Sequence, residues 1–206
     1  MTRQALYFAM SFVFAGLFSP QLCLASLILN GGFESPSVTP GTWQTFSTIP
    51  GWTLQSTTVF EIWNGFLSYT SAEGHQHLEL DDDIITQVIA TESGKAYSLR
   101  FSYAPRPNVV VNHILVAWDG QPVADISQTG VGATNLSWTT VSFNVSATAS
   151  ATELRLSGVG ADPRVGMMID DIQVTPVPSP ASVWLVGPIL LGLVAIRNTV
   201  IGGSSS

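Results

Sequence analysis

Tyr97-Ser98-Leu99-Arg100-Phe101-Ser102-Tyr103 places a large apolar side chain at every odd position and a polar one at every even position. Successive side chains of a strand point to opposite faces, so this stretch is a strand with one buried face. Val141-Ser142-Phe143-Asn144-Val145-Ser146 repeats the pattern. Outward from these two, strands are predicted at 26–29, 57–62, 75–80, 84–90, 111–118, 123–126, 153–157 and 167–174, separated by turn signals such as Ser93-Gly94 and Asp119-Gly120. No helical period persists beyond two turns, and no repeat of about 20 to 50 residues is visible. Short strands without helices predict an all-β fold: an antiparallel sandwich, jelly roll or barrel.

These strands lie within residues 26–175 of a 206-residue chain. A segment of that length buries roughly 70% of its unfolded surface without disulfides. All 14 acids fall inside it, against only Lys95, Arg100, Arg106, Arg155 and Arg164. The acid excess argues against nucleic acid as a partner, because binding a phosphate backbone needs clustered cations.

The two ends read differently. Arg3 precedes an apolar run over 5–18, Pro20 breaks it, and Cys23-Leu24-Ala25 presents small residues before Ser26. This is the pattern of a signal helix cleaved after Ala25, leading to secretion. The run is short of the ~20 residues that span a bilayer. Cys23 is the only cysteine, so the mature chain would carry no disulfide and no thiolate ligand. At the other end Thr175-Pro176-Val177-Pro178-Ser179-Pro180 forms a stiff extended spacer. Residues 181–196 then carry no charge and predict a short transmembrane helix, followed by Arg197 and a Gly/Ser tail. The order proline motif, apolar helix, basic residue resembles the PEP-CTERM sorting signal of Gram-negative bacteria, carried here by Val177, Pro178, Ser179, Pro180 and Arg197. Ser179 stands where that signal has Glu, and Arg197 stands alone for its basic cluster. The resemblance implies an exosortase partner at the inner membrane, transient anchoring through residues 176–206, and release to the cell surface or extracellular matrix.

The middle domain opens Leu27-Ile28-Leu29-Asn30-Gly31-Gly32-Phe33-Glu34, continues through Ile49-Pro50-Gly51-Trp52, and closes Met168-Ile169-Asp170-Asp171-Ile172. In that order these motifs resemble the galactose-binding-like jelly rolls, which include bacterial carbohydrate-binding modules and plant cell-wall proteins with the domain of unknown function 642. Period two places Asp170 on one face with Met168, Ile172 and Val174, looking inward, and Asp171 on the other with Gln173. The resemblance implies a structural Ca²⁺ held by Glu34 and Asp170 with a backbone oxygen near Asn30, a ligand set of the hard oxygens that calcium takes. The other reading is that Asp170 only accepts backbone N–H bonds and Glu34 sits in solvent.

Sugar rings stack their C–H faces on flat side chains while planar polar groups hold the hydroxyls. Most tryptophans of a sandwich pack its core, which is the reading for Trp52 and Trp138. Trp63 and Tyr69 flank Asn64-Gly65-Phe66 in a loop-like stretch, and Arg106 sits between Pro105 and Pro107 on a stiff loop. Trp63, Tyr69, Arg106 and Glu61 are therefore the candidate ligand-binding residues. His75, His77 and Glu79 alternate along one strand and predict a polar exposed face rather than a transition-metal site. No Gly-x-Ser-x-Gly elbow, Asp-x-Asp-x-Asp-Gly loop or phosphate-cradling glycine loop is present. Glu61 and Glu79, or a pair within Asp81-Asp82-Asp83, are the only hint of the two carboxylates of a glycosidase. The sequence thus predicts a non-catalytic, polysaccharide-binding surface or matrix protein. A structural adhesion protein with no sugar site, and more remotely a glycoside hydrolase, are the alternatives.

Overall fold

The structure is a computed structural model, and it describes residues 25–55, 59–159 and 165–178. The signal segment 1–24 and the sorting segment from Ser179 through Arg197 lie outside the described residues. Among the described residues no helix is long and apolar enough to cross a membrane.

The described strands are β1 (Thr42–Phe46), β2 (Thr53–Leu54), β3 (Phe60–Asn64), β4 (His77–Leu80), β5 (Ile84–Ala90), β6 (Ala96–Pro105), β7 (Asn112–Trp118), β8 (Gln121–Gln128), β9 (Thr139–Ser146), β10 (Ala151–Gly158) and β11 (Met167–Pro176). They build two antiparallel sheets, one in the order β1-β3-β4-β11-β6-β9 and one in the order β2-β5-β10-β7-β8. The predicted all-β sandwich is what forms, because period-two patterning gives each strand one apolar row to bury. Tyr97, Leu99, Phe101 and Tyr103 of β6 face Ile114, Val116 and Trp118 of β7 and Leu154 and Leu156 of β10 across one continuous core. Two elements escaped the sequence reading. β1 is an edge strand whose side chains are nearly all exposed, and β2 has two residues, so neither carries an alternating signal.

The predicted strand at 26–29 is instead a clamp. Leu27 N–H bonds β11 at Val174 O (2.8 Å), and Val174 N–H in turn donates to Ser26 Oγ at 3.3 Å. Asn30 then turns into the left-handed region (φ 55°). Gly31 passes so close to β11 that a Cβ would lie 2.0 Å from Ile172 O, and Ile172 N–H donates to Gly31 O at 3.0 Å. Phe33, fully buried, stacks on Trp52 at 5.7 Å, and Trp52 Nε1 donates to Asn30 O. The Asn-Gly-Gly-Phe-Glu and Pro-Gly-Trp motifs are thus two halves of one packed corner.

β11 corrects a second expectation. Its partner register on β6 slips by one residue between Asp170 and Gln173, and Asp171 takes φ 52°, which makes a β-bulge. The extra residue reverses the phase. Met167, Ile169, Ile172 and Val174 enter the main core, whereas Met168 joins a separate apolar cluster. Asp170 therefore does not share a face with Ile172 and Val174. It lies with Met168 on the outer side of the six-stranded sheet.

Candidate functional site

That outer side is where the chemistry collects. Trp63 of β3 stands directly opposite His77 of β4, Met168 of β11 pairs with Glu79 of β4, and Ala104 of β6 pairs with Met168. An aromatic and polar row on an open sheet face would be a platform. Here the chain roofs it. The segment after β3, a 3-10 turn over Phe66–Ser68 followed by residues 69–76, folds back with Leu136 and Trp138 to form a second small core. Phe66 meets the Trp63 ring edge-on at 5.0 Å, and Tyr69 stacks on it at 6.1 Å with planes 3° apart. Trp138 meets His77 edge-on at 5.5 Å, and its Nε1 donates to Thr70 O at 2.8 Å.

Trp63 is accordingly not a loop residue at the surface. It is a strand residue, 1% exposed, because the roof residues that the sequence suggested it would flank close over it. His77 and Glu79, expected on an exposed face, are buried for the same reason, whereas His75 precedes β4 and stays exposed. Trp138 is half-buried in the roof, and Trp52 belongs to the core. Arg106 lies with its guanidinium 5.2 Å from the Trp63 ring and donates to Glu79 Oε1 at 2.6 Å. Glu61 accepts a bond from Trp63 Nε1 at 2.7 Å. Of the four candidate ligand residues, Trp63, Arg106 and Glu61 thus form the frame beneath the roof, and Tyr69 stands above it.

The loop is pinned from below by the two acids singled out in the sequence. Asp170 accepts from Ala72 N–H (2.8 Å), Glu73 N–H (2.9 Å) and Asp171 N–H (2.7 Å), and Glu34 Oε1 accepts from His75 N–H (2.5 Å) and Gln76 N–H (2.8 Å). The Gln76 side chain in turn holds Val38 N–H, Phe33 O and Pro36 O. Oxygen donors of this kind suit a hard cation, but the oxygens facing the loop are already taken by N–H donors. Asn30 O, the expected third contributor, accepts from Phe33 N–H and Trp52 Nε1. Among the described residues no group of three or more His, Cys, Asp or Glu side chains is placed to hold a metal ion.

Burial sets the protonation of the frame. It pushes Glu79 up to about 8, against the opposing pull of Arg106, and Asp170 up to about 7, against its N–H donors. It lowers His77 to about 4, leaving the ring neutral with Nδ1 on Ser71 Oγ at 3.0 Å and Nε2 unpartnered. A carboxyl that keeps its proton only in the folded state makes folding less favourable as the unfolded chain ionises, so stability falls with rising pH between the two pKa values. His77 acts in the opposite sense below about 6.5, where the unfolded chain takes up the proton that the folded chain refuses. Above that pH Asp170 adds to the fall until about 7 and Glu79 until about 8. The melting temperature is expected to drop between pH 6.5 and 8, by up to about 1.4 kcal/mol of stability per pH unit for each such group. Glu79→Gln should flatten this limb. An unchanged slope in that variant would locate the titration elsewhere.

Over the roof lies a shallow polar pocket of about 270 Å³ lined by Asn64, Gly65, Ser68, Tyr69, Thr70, Ser71, Gly74 and His75. The rim continues to β1, where Thr42 pairs with Asn64 and Trp43 with Trp63. Trp43 is 45% exposed and touches Phe66 edge-on at 6.5 Å. Sequence reasoning missed Trp43. The available signal was a tryptophan between Thr42 and Gln44 with no apolar alternation around it, the mark of an edge strand rather than a core one. A larger groove of about 590 Å³ on the opposite sheet is lined mostly by Leu115, Ala117, Pro122, Val123 and Ala124 and holds no aromatic ring.

The fold and the site define an all-β sandwich whose second small core roofs one outer sheet face beneath a polar, aromatic-edged pocket. Residues 26–175 match the family described as protein of unknown function (DUF642), and the chain belongs to that family. No relative among the curated proteins matches. Among solved structures the chain is similar in fold to the CBM22-1 xylan-binding domain from Paenibacillus barcinonensis Xyn10C, at 13% identity over 69% of this chain and 99% of that chain, with a TM-score of 0.47. It is also similar to TmCBM61, solved in complex with β-1,4-galactotriose, at 15% identity over 74% and 99%, with a TM-score of 0.44. A family 35 carbohydrate binding module from Clostridium thermocellum matches at 15% identity over 65% and 97%, with a TM-score of 0.38. These likenesses concern strand arrangement, and no site is transferred from them.

Proposed function

We propose that the domain is a non-catalytic module of carbohydrate-binding type, exported and sorted to the cell surface or matrix, where it engages polysaccharide. The observation that carries this reading is the pocket over the roof. The hydroxyls of Ser68, Tyr69 and Thr70 and the His75 ring line it and make no hydrogen bond within the described residues. Polar groups left unengaged beside an aromatic face suit a ligand that offers hydroxyls and apolar C–H surface together. Screening the purified protein on a polysaccharide panel should give retention that Trp43→Ala or Tyr69→Ala weakens at least tenfold. No retention on any polysaccharide would favour the structural adhesion reading.

Catalysis has less support. Glu61 and Glu79 are direct cross-strand partners, closer than the sequence alone could establish. Yet the Glu79 side chain has no exposed surface and its Oε1 is committed to Arg106 and Gly166 N–H, so it has no route to a glycosidic oxygen.

Two further parts of the proposal rest on the sequence. Structural Ca²⁺ at the Glu34 and Asp170 corner would stabilise the native state by mass action. A chelator should then lower the melting temperature and added Ca²⁺ restore it, and Asp170→Asn should remove the response. A wild-type melt indifferent to chelator would leave both acids as N–H acceptors only. For sorting, a reporter fused to residues 176–206 should reach the surface only in a strain with exosortase, and equal delivery without it would refute that role.

A further inference from the structure

We infer that the pocket takes the end of a neutral glycan, one or two sugar rings, rather than the interior of a long or acidic chain. This rests on the carbohydrate-binding reading above and narrows it to a ligand class.

The first ground is steric. A long chain needs an open run of sheet face or several exposed rings in line. The row that could have served, Trp63 with His77 and Met168, is covered by Phe66, Tyr69, Leu136 and Trp138, and Trp63 and His77 are at most 1% exposed. What remains is a cavity of about 270 Å³, below the about 300–1,000 Å³ of pockets that enclose drug-sized ligands. One face of the Tyr69 ring is spent on Trp63, leaving the other for a single ring in the pocket. Trp43 at the rim offers a place for the next unit and no more, since β1 is the edge of its sheet.

The second ground is electrostatic. The lining contains no lysine or arginine. Arg106, the nearest guanidinium in the frame, is turned to Glu79. The back wall carries the opposite charge, because Glu34 accepts the backbone N–H of His75 and lies against Gly74, both lining residues. A carboxylated sugar in this pocket would meet the Glu34 charge with no lysine or arginine in the lining to hold it, which disfavours uronic acids.

Titration calorimetry of the full chain separates these claims. The probes are methyl glycosides of glucose, galactose and xylose, their oligomers up to six units, and the methyl uronides of the first two. Affinity is expected to rise from one unit to two or three and then stay within about twofold up to six, with each uronide at least tenfold weaker than its neutral parent. Ser68→Ala, Thr70→Val and His75→Ala replace side chains outside both cores and should keep the melting temperature while weakening binding at least fivefold. Affinity that keeps climbing to six units, or uronides that bind as well as neutral sugars, would overturn the chain-end inference and leave the carbohydrate reading standing. Unchanged binding in all three variants would overturn the choice of pocket. No binding to any probe or polysaccharide would remove the carbohydrate reading itself.

Discussion

Trp63→Ala is expected to lose about 3–5 kcal/mol of stability, the range for truncating a buried aromatic ring, and to equal Trp52→Ala in chemical or thermal unfolding. Trp63 lies on the outer side of its sheet, yet it carries Phe66, Tyr69 and the Arg106 guanidinium on its ring and gives its Nε1 proton to Glu61. Removing it takes the floor from under the roof, so sugar binding should disappear along with stability. A loss under about 0.5 kcal/mol, the size expected of a surface substitution, would mean that the second core contributes little and that the sheet face opens readily.

Gly31→Ala has the second largest expected effect, a loss of about 3 kcal/mol, at the upper end for forced overpacking. The new methyl would collide with a backbone carbonyl, Ile172 O, which cannot rotate away as a side chain can. The opening clamp must lift from β11, and with it go the Phe33 and Trp52 stack and the Glu34 carboxylate that holds the loop at His75 and Gln76. Wild-type stability in this variant, measured by denaturant titration, would show that the corner has slack that the packing denies.

The sandwich itself was legible because period two needs only local information. Ile84–Ala90 matches the strand predicted at 84–90 between its flanking turn signals, and Tyr97–Tyr103 and 141–145, where the alternation is clean, lie inside β6 and β9. The outer-face arrangement was not legible, for three separable reasons. The phase of β11 depends on a bulge at Asp171, a non-glycine residue at positive φ that no residue pattern announces. The cover over Trp63 and His77 draws on Leu136 and Trp138, far along the chain, so those residues read as exposed when only near neighbours are considered. The N–H donors that satisfy Asp170 lie 97 and 98 residues before it, which left its role open between ion ligand and hydrogen-bond acceptor. Tyr69 was found because its stretch lacks strand alternation, and Trp43 was lost because an aromatic in a sandwich ordinarily packs inward.

A roofed face is rigid, since the loop over it is tied by Asp170, Glu34, Trp138 and the Tyr69 stack, and rigid sites lose little ordering entropy on binding. The position of a bound ligand therefore tests the roofed pocket more sharply than its affinity does. Amide chemical-shift mapping of the isotopically labelled protein, titrated with a saccharide that the polysaccharide panel identifies as bound, reads that position directly. Perturbations are expected to concentrate at Trp43, Asn64, Ser68 to Ser71 and His75. Perturbations centred instead on Leu115, Ala117 and Arg155 of the opposite sheet would contradict the roofed pocket as the binding site.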